Sequence, residues 1–523
     1  MKKIPWGRPL FLIIIGVMLV VDLLLTFTSC SRDSGGVASY TIADSTGDWG
    51  YPSPYLHYAR GPGYVLMSFI FETLVWKDAT DFVPQLAREW EYSAVENAYV
   101  FKLRKDVQWH DGTSFTAEDV VFTFQYTREH PYPWVDNTIV KSVEAVDPHT
   151  VKLYLSRPYA PFLHDVAGTQ PIMPRHIWED VDKPDQFTGP VAVIGTGPYM
   201  LADYSKGHGT YLYKAFDNYY LGKPTVKEIR FVKISAEMIP AALKGGSANA
   251  GSVPPEIVSE MKDAGLTVIT APVTWNAKMS INHRKSPLSS KKFRHALAYA
   301  IDRESMVQIT QRGHAVAGSP GMVPPTSSWY NPNTPQYRYD PAQAEYLLKQ
   351  LGYTREGTYF TKDGQELRLG LIATAQFKEV GQFIMKQLEA AGIRIDFKTL
   401  EAKTVDAKVE AWDFDLSIYG HGGLNEPSFL NKAIIGQGFF SARYDSDEEL
   451  SQLLRAQITE MDIDKRKDLV AEIQEIYAGE LPALTLYYPR WYWAHDGKVN
   501  LYFTKDGIAS GIPIPLNRMA FLK

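Results

Sequence analysis

The chain has 523 residues, 45% of them hydrophobic and 22% charged, with 38 Gly and 33 Pro spread along it. That composition excludes disorder, collagen and coiled coil, and at ~100–200 residues per domain the length asks for two to four lobes. Lys and Arg number 54 against 59 Asp and Glu, a net charge of -5. A nucleic-acid binder needs a basic excess to neutralise phosphates, so no nucleic-acid partner is expected.

The single cysteine cannot form an internal disulfide or a thiolate zinc site. Its position is informative. Lys2, Lys3 and Arg8 make a basic start, residues 9–27 are almost entirely apolar, and the run ends in Phe27-Thr28-Ser29-Cys30. This resembles a bacterial lipoprotein signal, in which small residues precede a cysteine that is acylated and becomes the new N-terminus. Residues 1–29 are then the signal peptide, Cys30 the lipid anchor and residues 30–39 a flexible tether. An ordinary cleaved signal or an uncleaved anchor also fits, although Asp22 inside the apolar run disfavours a stable span. The body is expected to be exported and held at the cell membrane, facing the periplasm or the cell exterior.

From about Tyr40 to Ala271 the pattern predicts short strands and turns: Phe101 and Leu103 alternate with Lys102 and Arg104, and Val151, Leu153 and Leu155 with Lys152 and Tyr154. The clearest helix there starts at Thr116 with Asp119 as a capping box, and opens onto Val120, Val121 and Phe124. Residues 266–271 read as a strand, and Trp275 follows at a change of texture where a hinge and a cleft would meet.

The second half predicts long, well-punctuated helices. Ser290 precedes Phe293, Leu297, Ala300 and Ile301, Asp302 restarts a helix that Gly313 can close, and Asp340-Pro341 begins one stopped by Gly352. Later helices run from a Ser446/Glu449 capping box to about Met461, and from Asp464 to Gly479. Between them, Leu367, Leu369 and Leu371 alternate as a strand, residues 376–391 have helical period, Ile393, Ile395 and Phe397 alternate again, and a short helix leads to the strand 414–418. A β-α-β-α-β run builds a mainly parallel sheet, and ligands sit beyond the carboxyl ends of its strands. That rule points at Thr374 and at the loop from Tyr419 through His421 to Asn425, Glu426 and Pro427.

Catalytic spacings are missing. The chain has no H-E-x-x-H, no G-x-S-x-G and no P-loop, and Gly195-Thr-Gly197 runs into Pro198 rather than a dinucleotide fingerprint. Ser289-x-x-Lys292 matches a penicillin-binding-enzyme pattern that recurs by chance, with no Lys-Thr-Gly partner. The 12 histidines are too dispersed for a local metal site. Neither a cofactor nor a metal is expected, and the chain is read as a non-enzyme. Aromatics make 13% of it, which suits a cleft that encloses a ligand with large, weakly selective surfaces.

Trp109-His-Asp-Gly-Thr113 with Phe115-Thr-Ala-Glu-Asp-Val120 resembles a characteristic stretch of the extracellular solute-binding proteins of family 5, the dipeptide, oligopeptide and nickel receptors of ABC importers. Leu86-Ala-Arg-Glu-Trp90, Gly195-Thr-Gly-Pro-Tyr199, Asn218-Tyr-Tyr-Leu-Gly-Lys-Pro224, Phe293-Arg-His-Ala-Leu-Ala-Tyr-Ala-Ile-Asp-Arg303 and Tyr339-Asp-Pro-Ala-Gln-Ala344 agree in order, as does Arg466 in the helix before Pro482. The resemblance implies an α/β, two-lobed periplasmic-binding-protein-like fold (type II) with an extra N-terminal subdomain and the ligand cleft between the lobes. Residues 40–273 plus 485–523 would form lobe I and residues 274–484 lobe II.

By the same resemblance the protein is a monomer that captures a peptide-like solute and hands it to membrane permease subunits driven by a cytoplasmic ATPase. A metal chelate or small glycan is the alternative ligand, and an exported peptide or cell-wall hydrolase the alternative class. The expected ligand contacts are Trp275, Asn276, Tyr419, His421, Asn425 and Glu426. Glu426 stands where relatives hold an aspartate that meets the peptide amine. Gly246-Ser-Ala-Asn249 lacks the acid that relatives often carry at its last place.

Overall fold

A computed structural model describes residues 36–522. The signal peptide, Cys30 and the first part of the tether lie outside the described residues.

The first lobe is built on a seven-stranded sheet in the order Thr267–Thr270, Tyr492–His495, Ala250–Val253, Val37–Asp44, Val226–Lys233, Thr210–Ala215, Tyr199–Ser205. Val37–Asp44 lies in the middle, parallel to both neighbours, and buries Tyr40 and Ile42. Beside it stands a four-stranded antiparallel sheet, Ala87–Ser93, Ala98–Leu103, Thr150–Leu155 and Val140–Asp147. The alternation read in the sequence is its pleat: Phe101, Val151 and Leu153 are fully buried while Lys102 faces water. The helix Ala117–Glu129 covers this sheet, and Thr116 and Asp119 form the reciprocal capping box.

The motif Trp109-His-Asp-Gly docks on Gly195-Thr-Gly197. His110 N–H donates to the Gly195 carbonyl at 2.9 Å, and His110 Nε2 lies 2.9 Å from the Gly197 carbonyl. A Cβ at Gly195 would sit 2.0 Å from the Ile70 carbonyl oxygen, so these glycines serve close backbone packing and not phosphate binding.

The second lobe carries a six-stranded sheet, Ala315–Ala317, Ala483–Pro489, Trp275–Ile281, Leu416–Gly422, Arg368–Ala373, Arg394–Thr399. Its last three strands are the parallel β-α-β-α-β unit read from the sequence. Helices Lys291–Tyr299, Arg303–Thr310, Pro341–Gln350 and Lys378–Ala390 cover one face. Their buried side chains include Phe293, Leu297, Leu348, Ile384 and Leu388, each worth roughly 1.5–3 kcal/mol of burial. Helices Ser428–Ile434, Glu448–Thr459 and Ile463–Glu480 cover the other face.

Several boundaries differ from the sequence reading. Asp447, not Ser446, caps Glu448–Thr459, and Asp462 caps Ile463–Glu480, because each carboxylate reaches the free N–H groups of its first turn. A three-stranded hairpin over residues 354–366, unforeseen in the sequence, joins Gly352 to the parallel unit. The strand expected at 414–418 runs on as Leu416–Gly422, so Tyr419 and His421 sit on a strand and not in a loop. Ala483–Pro489 pairs within the second sheet and Tyr492–His495 within the first. The chain thus returns at residues 490–491, several residues later than 485.

The lobes touch. Ala160 N–H donates to the Ile458 carbonyl at 2.9 Å, and Ser428 Oγ donates to Asp165 Oδ2 at 3.1 Å.

Candidate functional site

Trp275 opens its strand immediately after the chain crosses from the first lobe. The antiparallel register sets Trp275 opposite Gly422, Asn276 opposite His421, Ala277 opposite Gly420 and Lys278 opposite Tyr419. Side chains alternate across a strand, so Trp275, Ala277, Met279 and Ile281 share one face and Asn276, Lys278 and Ser280 the other. The Trp275 indole lies over Gly420: a Cβ there would come 1.9 Å from the ring. The same ring stacks on Phe377 at 6.4 Å and 12°, and its centroid is 6.2 Å from that of Trp491 in the return crossing. On the first lobe, Trp49, Pro62, Trp493 and Ile514 help to line a cavity of about 50 Å³. Aromatic surface therefore gathers where the chain passes between the lobes, offering contact area with few hydrogen-bond demands.

The other face of the same two strands is polar and buried. Asn276 and Lys278 are both 0% exposed. Lys278 Nζ donates to the Phe440 carbonyl at 2.5 Å, and burial holds its ammonium down to about 7. His421 packs against the stacked pair Phe429 and Phe440, with ring centroids 5.1 and 5.8 Å away. Burial first, and then the neighbouring Lys278 charge, push its pKa well below the ordinary histidine value, so it is neutral. Tyr419 donates to Asp406 Oδ1 at 2.9 Å, packs on Phe439, and feels the charge of Arg60 from the first lobe.

Glu426 belongs to a charge cluster between the lobes. Its carboxylate bonds the Arg466 guanidinium and accepts from Ser428 N–H at 3.2 Å. Arg466 is held in turn by the Gln457 carbonyl at 2.9 Å and lies over the Trp329 ring. From the first lobe, Asp165 accepts from Tyr159 at 2.6 Å and pairs with His164 at 2.7 Å. Burial raises the Asp165 pKa, but His164 and Tyr159 outweigh it and hold the carboxyl at about 2. Lys77, buried nearby, is lowered to about 8 by desolvation, partly offset by Asp506, Glu426 and Asp165.

The structure thus brings Asn276, Tyr419 and His421 together on one sheet face and sets Trp275 on the opposite one. Asn425 and Glu426 stand at the inter-lobe seam, where Asn425 is 7% exposed. Sequence reasoning missed Lys278, Trp491, Trp493 and the His164–Asp165 pair. The alternation Trp-Asn-Ala-Lys-Met-Ser-Ile over 275–281 held the signal for Lys278, and the two tryptophans stand close to the expected return crossing. Asn249, in place of the acid of relatives, accepts from Thr41 N–H at 2.6 Å and donates to Asp496 at 2.7 Å, tying the first sheet together. Ser289 and Lys292 are exposed, and Lys292 Nζ bonds Gln350, so the penicillin-binding-enzyme spacing builds no site. A larger cavity of about 600 Å³ lies elsewhere on the second lobe, around Arg303, Ser319 and Tyr337. None of the expected ligand contacts lines it, and the Arg303 guanidinium is spent on the carbonyls of Gly318 and Tyr337.

Comparison with known proteins fits this layout. Residues 81–433 match the profile of the bacterial extracellular solute-binding proteins, family 5 (middle). The dipeptide-binding protein of Escherichia coli (strain K12) is 28% identical over 442 residues, which cover 78% of this chain and 81% of that protein. Among solved structures, NikA from Brucella suis in complex with Fe(III)-EDTA superposes with a TM-score of 0.80 at 21% identity, covering 91% of this chain and 98% of that one. AppA from Bacillus subtilis in complex with a nonapeptide gives 0.71 at 21% identity, covering 93% and 98%. The two-lobed α/β architecture is shared with these proteins, and the match over residues 81–433 decides the family: the chain belongs to the bacterial extracellular solute-binding proteins, family 5.

Proposed function

We propose that this protein is the receptor of an ABC importer, closing its two lobes on a peptide and delivering it to membrane permease subunits. The observation that carries this reading is the aromatic gathering of Trp275, Phe377 and Trp491 at the crossing between two touching lobes. Such a surface encloses a ligand and leaves it unchanged, and hinge closure commits it. The name of the Escherichia coli relative and the nonapeptide in the AppA structure support a peptide over a metal chelate or glycan. In this reading 40–273 with the return segment from 490 is lobe I, and 274–489 is lobe II.

Trp275 and Tyr419 are the proposed ligand walls, with Asn276, His421 and Asn425 behind them. The Glu426 charge is matched by Arg466, so it shapes the seam and does not offer a free carboxylate to a ligand amine. The protein acts as a monomer, tethered by lipid on Cys30. Native mass spectrometry of protein purified from its host should reveal a bound peptide, and incubation with a peptide mixture should return every peptide intact. Cleavage products would overturn the reading in favour of a hydrolase. Cys30→Ala should release the protein from the membrane fraction and abolish fatty-acid labelling, and an unchanged distribution without label in either form removes the anchor.

A further inference from the structure

The polar face of the second sheet is short of partners. Among the described residues, neither Nδ2 nor Oδ1 of Asn276 makes a hydrogen bond, and His421 Nε2, Asn425 Nδ2, Ser417 Oγ and Thr485 Oγ1 are likewise buried and unpaired. Register gathers most of them: Asn276 opposes His421, Ser280 opposes Ser417, and Lys278 is flanked by Tyr419 on one side and Thr485 on the other. At the centre, the Lys278 ammonium can donate three bonds and is given one acceptor, the Phe440 carbonyl. No carboxylate of the described residues acts on it. The titratable group it does interact with is His421, which is neutral.

A buried cation without a counter-charge is unfavourable, and buried donors left unmade cost more than donors that meet an acceptor. The groups here are one ammonium, two amides, hydroxyls and an imidazole. The ammonium, the amides and the hydroxyls can donate, the neutral imidazole keeps its one N–H on the Gly422 carbonyl, and none of these groups is an acid. Tyr419 stands directly across from Lys278, with Phe439 and Phe440 packed over Tyr419 and His421.

We propose that this face is a subsite for a carboxylate carried by the captured peptide, with Lys278 as its charge partner and Asn276 and Thr485 as flanking donors. This rests on the peptide-receptor reading above. The carboxylate can belong to the peptide C-terminus or to an acidic side chain, and both use the same donors.

Binding of four probes to the full chain and to Lys278→Met tests it by calorimetry: Ala-Ala-Ala, its C-terminal amide, the amide of Ala-Glu-Ala, and glutarate. The wild type should prefer an acid-bearing peptide to Ala-Ala-Ala amide by at least tenfold, and Lys278→Met should lose that preference. Preference for free Ala-Ala-Ala assigns the C-terminus, and preference for Ala-Glu-Ala amide assigns the side chain. Asn276→Leu, with a ligand-free melt for each variant, should weaken the same probes severalfold in a folded protein.

Equal binding of acidic and neutral peptides by the wild type, or a preference that survives in Lys278→Met, overturns the subsite and leaves the receptor reading intact. Glutarate bound through Lys278 with no peptide bound keeps the subsite and removes the peptide reading. Failure of all four probes removes both.

Discussion

The strand Trp275–Ile281 meets two environments within seven residues. On one face Ala277, Met279 and Ile281 disappear into an apolar core with Leu416, Ile418 and the covering helices, and every contact there is satisfied by contact alone. On the other, Asn276, Lys278 and Ser280 are as deeply buried, yet Asn276 and Ser280 carry polar atoms that the protein leaves unpaired and Lys278 has a single acceptor. Depth of burial is the same; what differs is whether the buried groups are complete. A complete face holds the lobe together, and an incomplete one is where chemistry from outside is worth most.

The largest effect should come from the seam rather than from either face. Arg466→Met strands Glu426 in the buried seam and should lower stability by ~3–5 kcal/mol. Pairing it with Glu426→Gln should recover much of that loss, and additive losses in a double-mutant cycle would show that the two do not act as a pair. On the complete face, Ile418→Ala opens a cavity beneath the sheet and should cost ~2–5 kcal/mol by chemical denaturation. A loss below ~1 kcal/mol would mean the core is looser than its burial indicates.

The incomplete face should respond with the opposite sign. Lys278 has a folded pKa of about 7 against an ordinary 10.5, so its stability contribution is fully present above 10.5 and is lost as pH falls through 7. Lys278→Met should therefore stabilise the ligand-free protein by ~1–4 kcal/mol below pH 7, and the gain should shrink steadily toward pH 10. Lys77 titrates in the same window but is common to both proteins, and His421 titrates below it. A gain that does not change with pH would place the effect in packing and not in charge.

Smaller effects should localise. Gly420→Ala has to displace the Trp275 indole, and should weaken ligand binding more than it lowers the melt; the reverse ranking would assign the indole to the core alone. Ser428→Ala removes one inter-lobe hydrogen bond, with an expected cost of ~0.5–1.5 kcal/mol by chemical denaturation.

Much of the fold was legible because its signals are local. Ser290, Asp302 and Asp340 cap helices where they were read, since a cap needs only its own first turn. The strand through Gly422 was read as a loop because Gly420 and Gly422 carry no strand signal; the reason for Gly420 is an indole 145 positions earlier in the chain, which no local pattern contains. Lys278 was passed over because a lysine in a strand ordinarily faces water, and only the pairing of three strands shows that it cannot. Glu426 was read as a ligand contact, and the resemblance that suggested it said nothing of Arg466 as its partner.

The bond between Ala160 N–H and the Ile458 carbonyl joins the lobes through main-chain atoms on both sides. No side-chain replacement deletes either group, short of proline at 160, so this contact is shielded from sequence drift. Side chains around it can be exchanged while this main-chain contact is kept.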